Sequence, residues 1–132
     1  MTDQKQILRD WLALKEWESS SGPEIPRHVL TILDSFPATN YADDEALELY
    51  CATLSTLFNF YRTSAYRHHE RLDQALIKLG TCSKQQFWRP AVAFLNMAPG
   101  LGNEAIPRWV EALQLSAEQQ RQLETERFHA LR

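Results

Sequence analysis

Apolar residues recur along this chain at intervals of three and four, and no stretch alternates apolar with polar residues as a half-buried strand would. Ile7, Leu8, Trp11, Leu12, Leu14 and Trp17 follow that rhythm after Asp3, which with Gln6 forms a capping-box start, so a first helix is expected over about residues 4–18. Ser19-Ser20-Ser21-Gly22-Pro23 ends it, because hydroxyl side chains compete for backbone hydrogen bonds and proline cannot continue a helix. Residues 19–25 therefore read as a linker. Pro26 suits the first turn of a short second helix carrying Val29, Leu30, Ile32, Leu33 and Phe36, and Pro37 stops it.

Between Asp43 and Leu79 lie 37 residues without glycine or proline. One helix of that length would measure about 55 Å, whereas a domain of this size has a radius of gyration of about 14 Å. The expected break is Arg62-Thr63-Ser64, with a hydroxyl as the next N-cap. The third helix opens on the acidic Asp43-Asp44-Glu45 and is then apolar on almost every side, through Leu47, Leu49, Tyr50, Leu54, Leu57, Phe58, Phe60 and Tyr61. That pattern makes it the central helix or part of a subunit interface.

A fourth helix is expected over residues 64–79, with Ala65, Leu72, Leu76 and Leu79 on one side and Ser64, Arg67, Arg71, Gln74 and Lys78 on the other, closed by Gly80 as a left-handed cap. Ser83 and Gln86 open a fifth that Pro90 should kink or split. Pro99-Gly100-Leu101-Gly102-Asn103 reads as a loop. A sixth helix carries Trp109, Val110, Leu113 and Leu115, and Ser116 with Gln119 caps a seventh. The last helix, residues 116–132, has only Leu123, Phe128 and Leu131 as anchors and is expected to be peripheral. Helix-favouring leucine and alanine dominate, while valine occurs only at Val29, Val92 and Val110. The expectation is all-α: one domain over residues 1–132, a compact bundle of about six or seven short helices.

Net charge is −3 over 132 residues, too mild for a nucleic-acid coat protein or a membrane-surface polycation. It is unevenly spread. Residues 1–50 hold four Lys/Arg against ten Asp/Glu, and residues 51–132 hold ten against seven. No apolar run approaches the roughly 20 residues of a membrane span, and the first residues lack the apolar stretch of a secretory signal, so a cytoplasmic protein is expected. Cys51 and Cys82 have no CxxC spacing, which signals neither a disulfide framework nor a zinc site.

The basic face Arg67, Arg71 and Lys78, with Arg62, Lys84 and Arg89 around it, is the most suggestive feature. Its cations fall at helical spacing and are interleaved with Tyr66, Phe87 and Trp88. Three readings compete: a solvated face that pairs with the acidic N-terminal half, a partner-binding face for an acidic protein, and a track for RNA or DNA backbone. Other constellations are weaker. His69 with Asp73 and Glu24 with His28 have i, i+4 spacing, and Glu126 with His129 copies one half of a di-iron element, but such sites need further ligands on other helices. No metal and no cofactor is expected. Cys51 lies among apolar neighbours, where a thiol is an inert small hydrophobe. Gly100 to Asn103 lacks the strand and the Lys-Ser/Thr of a phosphate loop. Residues 109–116 resemble the rhythm of a helix-turn-helix, but Gln114 stands where the turn glycine is wanted and Glu118, Gln119 and Gln120 replace basic readers, so a structural hairpin is expected.

The function these features favour is a non-enzymatic protein-binding adaptor, chaperone-like factor or regulator that self-associates as a homodimer. The alternative is a small helical subunit binding RNA or DNA backbone through residues 64–79.

Overall fold

The computed structural model describes residues 4–15, 18, 22–35 and 43–131. Asp3, Trp17, Ser19 to Ser21, Phe36 and Pro37, which carried expectations about the first two helices and the linker, lie outside the described residues. Eight α-helices are present among the described residues: α1 (Gln4–Leu14), α2 (Arg27–Asp34), α3 (Asp44–Phe60), α4 (Arg62–Arg67), α5 (His69–Cys82), α6 (Lys84–Met97), α7 (Gly102–Leu113) and α8 (Ala117–Ala130). A 3-10 turn, Pro99–Leu101, leads into α7, and no strand occurs among these residues. The all-α expectation holds, with one helix more than foreseen because the expected fourth helix is two. Tyr61 and His68 leave helical geometry, with ψ of 41° and 23°, so the chain turns once before α4 and again before α5.

Side-chain caps set three of the helix starts. The Asp43 carboxylate accepts from the Ala46 N–H, the Ser83 hydroxyl from Gln86 N–H, and Ser116 and Gln119 satisfy each other's backbone in a complete capping box. Pro26 stands just before α2, where its missing N–H costs nothing. The first helix stops at Leu14, four residues short of its expected end, where Lys15 takes a left-handed conformation. Pro90 does not split α6, which runs unbroken past it.

Gly80 is not a cap. It lies inside α5, and a Cβ there would stand 2.5 Å from Leu113 Cδ1, so the missing side chain lets α7 approach α5 closely.

α3 packs mainly on α6 and also on α1 and α5, and α6 in turn meets α5 and α8, so the α3–α6 pair forms the centre of the bundle. Leu54, Leu57 and Phe58 are wholly buried, and Phe58 meets Phe94 edge to face at 5.3 Å. The aromatic seam continues from Phe94 to Trp109 and from Trp109 to Phe87, each at 5.4 Å, joining α6 to α7. α8 lies over α6 and α7 through the buried Leu123, while Phe128 and Leu131 stay exposed. No helix among the described residues is long and apolar enough to cross a membrane.

Candidate partner-binding surface

Arg67, Arg71 and Lys78 all reach acceptors in the acidic first part of the chain. Arg67 pairs with Glu24 just ahead of α2. Arg71 grips Asp34, the last residue of α2, its Nε 2.9 Å from each carboxylate oxygen, and Lys78 Nζ donates to the Asp34 carbonyl at 2.9 Å. An aspartate at a helix C-terminus opposes the helix dipole, and the two cations offset that. The guanidinium hydrogen bonds hold the Glu24 and Asp34 carboxyls below the usual carboxylate range.

These exposed pairs do little of the work of holding α2, since solvent screens surface ion pairs and ordering two long side chains offsets much of what they gain. Val29, Leu30, Ile32 and Leu33 are buried, which at about 1.5–3 kcal/mol per side chain supplies roughly 6–12 kcal/mol as an upper bound. Asp34 therefore stays beside Arg71 and Lys78. Ser64, placed by its spacing on the polar side, is buried instead: its Oγ accepts from the Ile25 N–H and donates to Glu24, tying α4 to the segment before α2.

Arg62 differs from the other cations. Its Nη2 donates to the carbonyl of Asn96, near the end of α6, at 3.0 Å, which fixes the guanidinium beside the junction of α4 and α6. There Arg62, Thr63, Tyr66, Arg67 and Met97 line an open depression of about 340 Å³ whose exposed surface is largely apolar. Tyr66 is 52% exposed and its ring lies 5.7 Å from that of His69. Tyrosine, arginine and methionine are the residue types enriched at protein interfaces, and here they form one surface. Spacing alone could not reveal it, because Met97 is 31 residues from Tyr66.

The remaining candidates end elsewhere. Asp73 does not turn to His69 as a metal pair would: buried under α7, it accepts from Trp109 Nε1–H and is 2.6 Å from the Arg108 guanidinium. Burial raises its carboxyl above the usual range, against the opposing pull of Trp109 and Arg108. Sequence reasoning missed this clasp; the only hint was an acid next to Leu72 on an otherwise apolar flank. Among the described residues no group of three or more His, Cys, Asp or Glu converges. Cys51 is buried, and burial pushes its thiol up, away from the reactive thiolate.

The expected loop at residues 99–103 is helical, since Pro99–Leu101 is a 3-10 turn and Gly102 and Asn103 already belong to α7, and a side chain of α8 lies over it: Arg127 Nε donates to the Pro99 carbonyl at 2.8 Å and Nη2 to Asn103 Oδ1 at 2.6 Å. Gln114 turns left-handed, with φ 52°, between α7 and α8, and the two helices form a hairpin.

No protein-family model, curated protein or solved structure matches the chain.

Proposed function

We propose that this protein is a non-enzymatic binding module, an adaptor, chaperone-like factor or regulator of another protein, working in the cytoplasm. The observation that carries the reading is the surface at the α4–α6 junction, where exposed Tyr66 and half-buried Met97 sit between two arginines. Such a surface offers a rigid aromatic anchor, an adaptable thioether and charged donors, the combination that concentrates binding energy in protein interfaces. An enzymatic reading finds less support, since the two thiols and the carboxylate with the raised proton affinity sit in packed or half-covered positions away from this depression.

The nucleic-acid alternative also has less in its favour. Backbone binding draws on several cations released to phosphate, whereas Arg67, Arg71 and Lys78 are engaged by Glu24 and Asp34, and those carboxylates would repel a phosphate chain. For self-association, α1, α5 and α6 cover most of α3, so the ground for a homodimer contracts to half-buried Leu49 and half-exposed Phe60.

The test is affinity capture from native lysate by the full-length protein, with and without nuclease, beside a Tyr66→Ala version. A stoichiometric protein that survives nuclease and is lost with Tyr66→Ala is the expected result. Capture that disappears on nuclease treatment overturns the reading in favour of nucleic acid.

A further inference from the structure

The depression between α4 and the end of α6 is open at the surface and small. At about 340 Å³ it lies at the bottom of the roughly 300–1,000 Å³ range of ligand pockets. That suits one large side chain with its flanking backbone better than a cofactor. Its floor is apolar, from the Tyr66 ring, the Met97 thioether and the arginine stems, which cover apolar surface while their charged heads stay wet. Its rim carries two guanidiniums, those of Arg62 and Arg67, and no carboxylate belongs to the lining. One arginine nitrogen in each is anchored, Arg62 by the Asn96 carbonyl and Arg67 by Glu24. A guanidinium has five N–H donors in a planar fork, so each keeps further donors in a pre-set orientation.

Resting on the protein-binding reading above, we propose that this depression docks a short acidic segment of a partner protein, one aromatic or aliphatic side chain seated against Tyr66 and Met97 and flanking carboxylates bound by Arg62 and Arg67. Charge complementarity selects this occupant: the Arg62 guanidinium, bound to a carbonyl rather than a carboxylate, keeps its charge uncompensated beside an apolar floor and so matches an apolar anchor flanked by an acid, while a second acid reaches Arg67 only by displacing Glu24; carboxylate–guanidinium pairs are strong when bidentate. A phosphate chain fits less well. It would run on from Arg67 toward Arg71 and Lys78 and meet Glu24 and Asp34 on the way. Glu24 also sets specificity, because an incoming carboxylate at Arg67 must compete with it.

The experiment pans a display library of random 12-residue peptides on the purified full-length protein and measures binding of a synthetic winner by fluorescence anisotropy. Enriched peptides should pair a large apolar residue with two or more Asp or Glu. Binding should fall at least 10-fold with Tyr66→Ala and several-fold with Arg62→Gln or with raised salt, while Lys84→Gln, on the far part of α6, leaves it unchanged. Tyr66 and Arg62 are exposed, and the helical spectrum of each variant confirms folding.

Winners without acids, acidic winners that ignore Tyr66→Ala, or no winners at all overturn the proposal. So does a single-stranded oligonucleotide that binds tighter than the winner with the same dependence on Tyr66. Non-acidic winners that bind elsewhere leave the protein-binding reading standing, and loss of both winners and captured protein removes it as well.

Discussion

Replacing Asp73 separates two effects that act on one buried carboxylate. Asp73 is 2% exposed; Trp109 donates to one oxygen and Arg108, itself about half exposed, pairs with the other. Asp73→Asn keeps an acceptor for the indole and almost the same volume. It reduces a charge-assisted hydrogen bond of about 1.5–3 kcal/mol to a neutral one of about 0.5–1.5 kcal/mol. It also forfeits a half-exposed ion pair of at most about 1 kcal/mol. Against these losses stands the relief of burying a charge, the largest influence on this carboxyl.

The net cost at pH 7 should stay below about 1 kcal/mol, less than roughly 5 °C in Tm for a chain of this length. Asp73→Ala also strands the buried indole N–H, which adds about 1–3 kcal/mol. The pH dependence is the sharper readout. A carboxyl raised in the native state contributes stability that is fully present below its unfolded value near 3.8 and is lost as the pH rises through its native value. Wild type should therefore gain on Asp73→Asn as the pH falls from 7 toward 4. Urea denaturation of wild type and both variants at several pH values measures this. If the gap moves the other way, or Asp73→Asn loses as much as Asp73→Ala, the carboxylate is held by its partners rather than opposed by its burial, and the argument fails.

Gln114→Gly should raise stability by up to about 1 kcal/mol, read in thermal melts, because a left-handed φ of 52° strains any residue with a Cβ. Leu33→Ala, at a wholly packed site in α2, should cost about 2–5 kcal/mol in denaturant titration, whereas Arg71→Met should cost no more than about 1 kcal/mol because its bridge is exposed. On acidification Glu24, Asp34 and Asp43 act opposite to Asp73: their lowered carboxyls stabilise above the unfolded range, and that contribution is lost as the pH falls through their native values, so the Asp34→Asn variant should lose less stability than wild type below about pH 4.

Capping signals were legible in the sequence because they act within one turn. Ser83 and Ser116 each had an amide partner three residues on, and both helix starts follow. The apolar ring of α3 likewise announced a central helix. What could not be read depended on the rotation of one helix against another. Gly80 looked like a stop because its distant neighbour Leu113 is invisible to local reasoning, and Asp73 stood out only by its spacing to His69, since α7 with Trp109 and Arg108 is remote in the chain. The basic face was visible as a stripe, but its acceptors at Glu24 and Asp34 are 37 to 44 residues away in the chain. The Tyr66–Met97 depression shares that cause, since only the packing of α3 on α6 brings the end of α6 to α4.

The same pairing of α3 with α6 shapes the route by which the chain reaches its native state. The α5–α6 and α7–α8 hairpins join neighbours through short connections and can form early, since local contacts close small loops. α3 must then find α6 across the whole of α4 and α5, as the Phe58–Phe94 contact shows. In a nascent chain this pairing has to wait until α6 has been synthesised, and until then the face of α3 that α6 covers stays exposed.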